Sequence, residues 1–286
     1  MKKRLIFTLL LAAFIVACFA QKPYKVMFYN LENFFDTIND PEVLDDEFTP
    51  EGPKQWNSAK YNRKLGNIER VLFDLAAADK VYPAVIGVSE VENRSVLEDI
   101  VAAPKLAPAD YRIVHYDSPE ARGVDVAFLY RPEVFKLGEQ MRRIADSVLK
   151  ADPATRIVAM GDFNDDPTDP SMAEGLGART RMKELEPGDF YNPFGDMLRA
   201  GIGTLAYGDA WNLFDNIVVS GNMVSGDDGM QLRKAPGSKY YGNIFRRHYM
   251  VQREGQYKGY PLRTYVGNNF QGGYSDHFPV YIYFAK

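Results

Sequence analysis

Two short carboxylate-bearing segments stand more than a hundred residues apart in this chain of 286 residues. The first is Gly-Asp-Phe-Asn-Asp at 161–165, and the second is Ser-Asp-His-Phe-Pro-Val at 275–280. Each segment adjoins an apolar, strand-like run. Together with Asn30, Glu90 and Asp215 they supply carboxylates, amides and an imidazole. Such a set could hold a hard divalent cation and direct a water molecule at a phosphorus ester.

Each of these residues also has a plain structural interpretation. Asp162 and Asn164 are typical turn residues. Residues i and i+2 of an extended segment nevertheless point to one side, so both polar groups could face one ligand. Glu90 could belong to the start of a helix capped by Asn93, and His277 could be a histidine satisfied within the core. These interpretations are adequate singly, but they do not explain why all the polar residues adjoin strands.

The elements that must position these side chains follow from hydrophobic periodicity. The pattern predicts strands at 24–29, 84–88, 111–115, 124–130, 156–160, 216–219 and 280–284, and helices from 57 onward and at 140–150. Asn57 or Ser58 is the expected N-cap of the first helix, and Asn93 is expected to cap a short one. Residues 37–56 have the composition of a loop, whereas 220–273 give no clear assignment.

Buried strands separated by helices in both halves of the chain predict an α/β layered domain. The strands at 84–88 and 156–160 are continuous apolar runs, which is typical of strands covered on both faces. The first and last strands alternate instead. The polar residues fall at strand ends, where a rigid sheet can carry a site on its loops.

The first twenty residues have the pattern of a signal peptide, with a basic start at 2–4 and an apolar stretch at 5–17. That stretch is too short to span a bilayer. Two processing routes stay open: removal before Gln21, or cleavage at a lipobox that leaves a lipidated Cys18. Both routes predict export to the periplasm or beyond the cell. In both cases one domain is left, 21–286, and it has no cysteine pair that could form a disulfide.

The chain is mildly acidic. Its formal net charge is −4, and it becomes −7 when the three basic residues of the start are removed. Such a protein is not built for broad attraction to phosphate backbones, which argues against a nucleic-acid coat or architectural protein. An enzyme is still compatible with this charge, because a bound metal ion supplies local positive charge.

Six segments resemble the endonuclease/exonuclease/phosphatase superfamily, which includes pancreatic-type deoxyribonuclease, abasic-site endonucleases, sphingomyelinases and inositol polyphosphate phosphatases. In family order they are Tyr-Asn-Leu-Glu-Asn at 29–33, Val-Ser-Glu-Val-Glu-Asn at 88–93, Arg-Gly-Val-Asp-Val-Ala at 122–127, the segment 161–165, Asp-Asn-Ile-Val at 215–218, and the segment 275–280. The combination of Gly-Asp-Phe-Asn with Ser-Asp-His-Phe-Pro is highly specific. The resemblance implies a bacterial secreted member with a two-layer β-sandwich flanked by helices, the four-layer α/β/β/α arrangement of DNase I-like proteins.

The resemblance also implies which residues bind metal and substrate. Asn30, Glu90 and Asp276 would hold the divalent cation, with Glu90 as the principal ligand. Oxygen ligands of this kind suit Mg²⁺ or Mn²⁺. Arg122 and Asp125 would shape the phosphate pocket, although Arg122 could equally form a surface ion pair.

The catalytic roles are implied in the same way. Asp162 would orient or deprotonate the attacking water, and Asn164 would donate to a phosphate oxygen. His277, oriented by Asp215, would stabilise the developing charge or transfer a proton. An imidazole is suited to that work when a carboxylate fixes its tautomer.

The middle of the chain departs from the family pattern. Relatives usually carry, between the strands at 124–130 and 156–160, two further strands with an Asn-His-[aromatic]-Pro-Ser-like segment that contacts phosphate. Here only the 24 residues 132–155 are present, without a histidine, and the helix predicted at 140–150 uses eleven of them. The remainder is too short for two strands and their turns. We therefore expect an altered sheet edge and lower turnover.

The residues and the resemblance together predict an exported, divalent-metal-dependent hydrolase of phosphodiesters, first of all a nuclease-like enzyme. Two alternatives stay open: a phosphatase or phosphodiesterase for small molecules or lipid head groups, and a catalytically impaired binding protein of the same fold. We expect a monomer without a transmembrane span, whose partner is a phosphoester, nucleic acid among the candidates. Basic residues and tyrosines that could form a nucleic-acid rim, or only a solvated surface, are Lys239, Tyr240, Tyr241, Arg246, Arg247, Tyr249, Arg253, Tyr257, Lys258, Tyr260 and Arg263.

Overall fold

The computed structural model describes residues 23–134, 155–208, 210–225 and 229–285. The strands are β1 (Tyr24–Phe34), β2 (Val85–Val91), β3 (Arg112–His115), β4 (Asp125–Tyr130), β5 (Val158–Asp162), β6 (Ala178–Arg179), β7 (Phe190–Tyr191), β8 (Leu205–Tyr207), β9 (Ala210–Asn212), β10 (Asp215–Ser220), β11 (Gln231–Arg233), β12 (Asn243–Ile244), β13 (Tyr265–Val266), β14 (Asn269–Phe270) and β15 (Val280–Ala285). The α-helices are α1 (Ser58–Ala77), α2 (Arg94–Ala102), α3 (Gly195–Arg199) and α4 (Asn222–Ser225). The predicted signal peptide, Cys18 and the helix predicted at 140–150 lie outside the described residues.

The strands of the described residues form two main sheets. The first is a seven-stranded mixed sheet in the order β11-β15-β1-β2-β4-β3, with β12 also paired to β15. The second is a four-stranded sheet in the order β5-β10-β7-β6. Two short hairpins, β8-β9 and β13-β14, stand apart from them. The two main sheets and the helices confirm the predicted α/β sandwich.

The central strand β1 is buried on both faces. Met27 and Tyr29 pack in the cluster that contains the apolar residues of α1 and α2. Val26 and Phe28 pack in the second cluster, between the two sheets. The alternation predicted for 24–29 therefore separates two buried faces. The strand also continues past Asn30, where the sequence predicted its end, because the pairing with β2 resumes beyond a register shift.

The two longer helices begin where their caps were expected. The Asn57 side chain accepts hydrogen bonds from Ala59 N and Lys60 N, which satisfies free backbone donors of the first turn of α1. Asn93 does the same for α2 through Val96 N. The buried face of α1 then packs on the first sheet, and this layer supports the ends of β1 and β2.

The second sheet differs from its prediction at β5. This strand is half buried along its length, whereas the sequence predicted a buried strand at 156–160. Within the described residues β5 pairs with β10 alone and forms the edge of its sheet. That is the edge at which the short interval 132–155 was expected to alter the sheet. Its outer face is covered in part by a π-helical turn, Ser171–Gly175, whose Met172 packs near Ala159.

One other prediction needs correction, and the region left unassigned can now be described. The last strand, β15, is nearly all buried and not alternating, because β1, β11 and β12 flank it and both of its faces are covered. The unassigned region 220–273 contains the short strands β11 to β14, a 3₁₀ turn at His248–Met250 and long connections.

The sheets approach each other closely at Gly87 on β2. A Cβ atom at this position would lie 2.7 Å from Met160 Sδ on β5 and 3.1 Å from a ring carbon of Phe28. A larger residue at this position would therefore force Met160 and Phe28 to shift. Among the described residues, no helix combines the length and the hydropathy that a bilayer-spanning segment needs.

Candidate active site

Glu90 occupies a β-bulge near the end of β2. Strand β4 pairs Ser89 with Val126 and Val91 with Asp125, so that Glu90 is an extra residue between two consecutive partners. The backbone of Glu90 has φ 55°, in the left-handed region. The sequence predicted that the strand ends before Glu90, and this is wrong. The bulge instead redirects one side chain within a continuing strand.

Left-handed backbone is concentrated around this position. Of the seven described residues other than glycine that have a positive φ, four lie here: Glu90, Glu32 (φ 52°), Asn33 (φ 51°) and Asn164 (φ 53°); Gln55, Lys80 and Asp110 are elsewhere. Such conformations cost on the order of 1 kcal/mol each for residues other than glycine. The surrounding packing must therefore offset local strain here, which is typical of functional sites.

Asn30 joins the two sheets at this end of the sandwich. Its buried Nδ2 donates to Glu90 Oε1 at 3.1 Å and to Asp162 Oδ2 at 3.1 Å. Its Oδ1 accepts from Glu32 N at 2.8 Å, which fixes the orientation of the amide. Glu90 Oε2 also accepts from Asn33 N at 2.9 Å. One amide therefore holds a carboxylate from each sheet within hydrogen-bonding distance.

His277 lies beside this junction and is paired with Asp215. Its Nδ1 is 2.7 Å from Asp215 Oδ2, and its Nε2 is 3.8 Å from Asp162 Oδ2. Burial lowers the pKa of His277, but the carboxylates of Asp215, Asp276 and Asp162 outweigh burial and raise it to about 10. Burial raises the pKa of Asp215, and His277 opposes that change. The pair thus favours an imidazolium whose Nε2 faces the site.

The segment that carries His277 is fastened to the end of β1. Ser275 Oγ donates to Asn30 O at 2.8 Å and accepts from His277 N at 3.1 Å. Phe278 N donates to Thr204 O at 2.8 Å. These bonds explain how residues at 275–280 reach residue 30 in space.

In the loop after β5, Asp162 acts both as a turn residue and as a residue of the candidate site. Asp162 Oδ1 accepts from Asn164 N at 3.0 Å, which forms a tight turn, while Oδ2 faces Asn30. Asn164 is exposed, and its backbone has left the extended conformation. Phe163 packs against the outer cluster of the second sheet and anchors the loop.

Asp276 lies near His277, but it forms an ion pair with Arg263. Its Oδ1 is 3.9 Å from His277 Nε2, and its Oδ2 contacts a guanidinium nitrogen of Arg263. The structure therefore brings Asn30 and Glu90 into direct contact, and it places the third predicted metal ligand against an arginine.

Arg122 and Asp125 occupy different environments. Arg122 is exposed, lies 3.1 Å from Glu120, and reaches Asn33 Oδ1 at 3.5 Å. It borders a pocket of about 430 Å³ that adjoins Asn33 and is lined in part by Lys54.

Asp125 is buried and does not present a free oxygen to such a group. Its Oδ2 is 2.8 Å from His115 Nε2, and its Oδ1 accepts from Ser118 N at 2.7 Å. Asp125 thus fixes the loop that carries Arg122. Direct substrate contact by Asp125 does not follow from this geometry.

In the described residues, two groups of carboxylate and imidazole atoms are close enough to share an ion, with ligand atoms within 4.8 Å of one another. They are His115, Asp117 and Asp125, and Asp162, Asp215 and His277. In each group the histidine and one aspartate already form a buried pair. A protonated imidazole cannot ligate a metal, so His277 and Asp215 are better suited to proton transfer.

Glu90 fits a hard divalent cation better than either group. Its carboxylate accepts hydrogen bonds from Asn30 and Asn33, yet no lysine or arginine of the described residues lies within ion-pair distance of it. Asp162 lies on the other side of Asn30, and the one basic group of the described residues within ion-pair distance of it is His277, at 3.8 Å. Carboxylate oxygens without a basic partner are the donors that Mg²⁺ and Mn²⁺ prefer.

Sequence reasoning missed the roles of Glu32 and Lys64 beside the site, and it assigned Arg263 only to the basic rim. Lys64 is buried in α1, with Nζ 3.6 Å from Glu32 Oε2, and Arg263 Nε is 3.5 Å from Glu32 Oε1. Glu32 lies within the segment 29–33 and could have been found there. Lys64 and Arg263 have no local signal, because their partners are distant in the sequence.

The predicted basic and aromatic rim is assembled only in part. Arg246 and Tyr260 lie beside Trp211, with the Arg246 guanidinium 5.5 Å from the Trp211 ring. Tyr249 instead donates to Asp74 on α1 at 2.7 Å, so its hydroxyl belongs to the helix layer. The rim therefore reduces to a smaller cluster near Trp211.

Comparison with known proteins gives a family match. The sequence matches the Endonuclease/Exonuclease/phosphatase family over residues 25–141 and 137–286. The two matched stretches meet inside the short interval 132–155. No curated protein matches the chain.

Several solved structures are similar over nearly the whole chain. A protein of that family from Bacteroides thetaiotaomicron is 15% identical, with 93% of this chain and 98% of that chain covered and a TM-score of 0.47. TDP2 of D. rerio, complexed with a single-strand DNA product, is 10% identical, with 93% and 100% covered and a TM-score of 0.47. ANGEL2, a 2',3'-cyclic phosphatase, is 13% identical, with 93% and 96% covered and a TM-score of 0.47. These likenesses are distant, and the family assignment rests on the sequence match.

Proposed function

The chain belongs to the endonuclease/exonuclease/phosphatase family, a family of phosphoester hydrolases, and on that premise we propose that it hydrolyses phosphodiesters with a divalent metal ion. The observation that carries the proposal is the junction at Asn30. This amide holds Glu90 of the first sheet and Asp162 of the second at 3.1 Å each, beside the His277–Asp215 pair.

Glu90 would hold Mg²⁺ or Mn²⁺, with Asn30 and Asp276 nearby. When bound, the ion supplies Lewis-acid polarisation of the phosphoryl oxygen. The protein itself supplies the fixed geometry: Asn30 keeps the carboxylates of Glu90 and Asp162 apart and oriented. A preorganised set of this kind stabilises charge that develops during the reaction.

The remaining side chains supply proton transfer and phosphate contacts. Asp162 would orient or deprotonate a water molecule, and the position of its Oδ2 beside Asn30 and His277 supports this role. His277, as an imidazolium, donates from Nε2 toward the developing negative charge, while Asp215 holds Nδ1. Asn164 is exposed in the loop after β5, close to Asp162 in the chain, and its amide can donate to a phosphate oxygen. Arg122 provides positive charge at the adjoining pocket.

An aromatic and cationic cluster beside His277 supports a nucleic-acid substrate. Trp211 stacks on Phe278 with ring centroids 6.2 Å apart, and the Arg246 guanidinium lies 5.2 Å from the Phe278 ring. Tyr260 extends the cluster, 5.7 Å from Trp211. Single strands are commonly bound by such rings and by arginine without strict sequence preference. We therefore place nuclease-like hydrolysis first.

The net charge favours a second candidate, hydrolysis of a small phosphodiester or a lipid head group. At −4 the chain has no general attraction for long polyanions. A third possibility, a binding protein of the same fold, follows from the short interval 132–155, where a phosphate-contacting segment of relatives would lie. The three candidates differ in what they do to substrates, so one assay separates them.

The assay compares single-stranded DNA, RNA, a chromogenic phosphodiester and a phosphomonoester, each with Mg²⁺ and with EDTA. The proposal predicts metal-dependent cleavage of the diesters, and salt-sensitive cleavage of the polynucleotides supports the nuclease. Asp162→Ala should abolish cleavage, whereas Asp110→Ala, an exposed aspartate paired with Arg112, should not. Activity that survives EDTA, or no activity on any substrate, would contradict the proposal.

Export is a separate proposal. The first twenty residues would direct the protein out of the cytoplasm, with cleavage before Gln21 or lipidation of Cys18. Mass spectrometry of the mature N-terminus distinguishes the two routes, and an intact Met1 on exported protein would contradict both.

A further inference from the structure

The pocket of about 430 Å³ that Arg122 borders has a second basic side chain in its wall, that of Lys54. Asn33 joins this pocket to the candidate active site. Its backbone N–H donates to Glu90 Oε2 at 2.9 Å, and its Oδ1 accepts from Arg122 Nη1 at 3.5 Å. Asn33 is itself part of the pocket wall. The pocket and the Glu90 carboxylate therefore contact the same residue.

The surrounding residues hold Lys54 in place. Its ammonium lies over the rings of Phe48 and Tyr265, 5.1 and 5.3 Å from their centroids. Its backbone carbonyl accepts from the Tyr265 hydroxyl at 3.0 Å and from Lys60 Nζ at 2.7 Å. Phe48 stacks in turn on Phe35, with ring centroids 4.4 Å apart. Lys54 is therefore positioned before a ligand binds, which reduces the entropy lost on binding.

The acidic residues of the pocket wall leave Lys54 available to a ligand. Its ion-pair partner, Glu47, is 3.2 Å away and is 63% exposed, whereas the Lys54 side chain is 14% exposed. Ion pairs with an exposed partner contribute little, because water and salt screen them. The other acid, Asp46, is exposed and accepts from Asn39 Nδ2 at 2.8 Å. An anionic group of a ligand can therefore displace Glu47 from Lys54.

We propose that this pocket binds a second phosphate of the substrate, next to the one that is hydrolysed, and that Lys54 and Arg122 contact it. Phosphate oxygens are bound by both kinds of basic side chain, by lysine as a compact charge and by arginine as a planar fork. The preferred substrates then carry two phosphates, a chemistry that oligonucleotides share with phosphorylated lipid head groups. The inference rests on the proposed function, since it requires a phosphoester at Glu90.

The test compares ligands that differ by one phosphate, in calorimetric titrations of the full chain with Mg²⁺ present. Wild type should bind thymidine 3',5'-bisphosphate at least about tenfold more tightly than either thymidine monophosphate, because a charge-assisted contact is added. Lys54→Gln should reduce this ratio to less than about threefold, and Lys54→Arg, which keeps the charge, should retain it. Lys105→Gln is the matched control and should also retain it, because Lys105 lies over the Phe73 ring at 5.5 Å but does not line the pocket.

Inositol 1,4-bisphosphate and inositol 1-phosphate form a second pair of ligands, and the pair with the larger ratio identifies the source of the phosphate. If Lys54→Gln does not fold by circular dichroism, Glu47→Gln decides the matter. It frees Lys54 and should raise the ratio, whereas Glu51→Gln, an exposed acid outside the pocket wall, should not.

Equal affinity for monophosphates and bisphosphates in wild type would overturn the inference. An unchanged ratio in folded Lys54→Gln, or in Glu47→Gln, would do the same. These results leave the proposed function standing, because that function is judged by cleavage of diesters in a separate assay. A wild-type chain that binds none of the phosphates and cleaves no diester would overturn both.

Discussion

Replacement of Asp215 by asparagine tests whether the buried carboxylate sets the charge of His277. The two groups lie 2.7 Å apart, and both are buried. In wild type, burial lowers the pKa of His277, and Asp215, with Asp276 and Asp162, raises it from 6.5 to about 10. Removal of the Asp215 carboxylate takes away the largest of the influences that raise this pKa. We therefore expect the pKa of His277 to be lower in Asp215→Asn than in wild type.

The size of this change follows from the two pKa values. One pKa unit corresponds to about 1.4 kcal/mol, so the net stabilisation of the imidazolium, after the cost of burial, is on the order of 5 kcal/mol. Because the folded pKa of His277 is raised, its contribution to stability is fully present below pH 6.5 and is lost as pH rises through about 10. The free energy of unfolding should fall over this window in wild type. It should fall much less in Asp215→Asn.

The assay is an NMR titration of the His277 imidazole in metal-free protein, with urea unfolding at pH 6.5 and pH 10. Loss of the imidazolium should also lower kcat at neutral pH by roughly 10²–10⁴-fold. Asp125→Asn is the control, because it breaks the other buried pair, 2.8 Å from His115, and should leave the His277 titration unchanged. If His277 titrates near 6.5 in wild type, or titrates alike in wild type and Asp215→Asn, the reasoning is refuted.

Three other substitutions test separate parts of the structure. Glu90→Gln should weaken Mn²⁺ binding at least tenfold in a calorimetric titration, because it removes the carboxylate without a basic partner; unchanged affinity would count against a metal at Glu90. Arg122→Ala should raise KM for a diester and change the free energy of unfolding by less than about 0.5 kcal/mol, because the side chain is exposed; an unchanged KM would remove Arg122 from the substrate pocket. Gly87→Ala should destabilise the fold by about 1–3 kcal/mol in urea, because its Cβ would meet Met160 Sδ at 2.7 Å and the Phe28 ring at 3.1 Å, and a neutral effect would show that these side chains move aside at no cost.

Local features of the fold could be predicted from the sequence. The helix from residue 58 begins at a cap, Asn57, whose side chain bonds lie within the next three residues. The polar residues at 30, 162, 215 and 277 come together as expected because each adjoins a strand that the hydrophobic pattern identifies. Such signals depend on neighbours in the chain, and the sequence contains them.

Features set by distant partners could not be predicted. The bulge at Glu90 exists because β2 pairs with β4 on one side and β1 on the other, and neither register is visible in the sequence of β2 alone. The ion pair between Lys64 and Glu32 depends on packing of α1 against the end of β1. β5 is partly exposed because, within the described residues, it pairs with β10 on one side and has no strand on the other.

The central claim is that one divalent-metal site exists where the two sheets meet, at the carboxylate of Glu90. Crystals soaked in Mn²⁺ and measured at the manganese absorption edge locate the ion directly by anomalous scattering. We expect a peak adjacent to the Glu90 carboxylate, on the side of Asn30 and Asp162. A peak at the His115–Asp125 pair instead, or no peak next to Glu90, would contradict the claim.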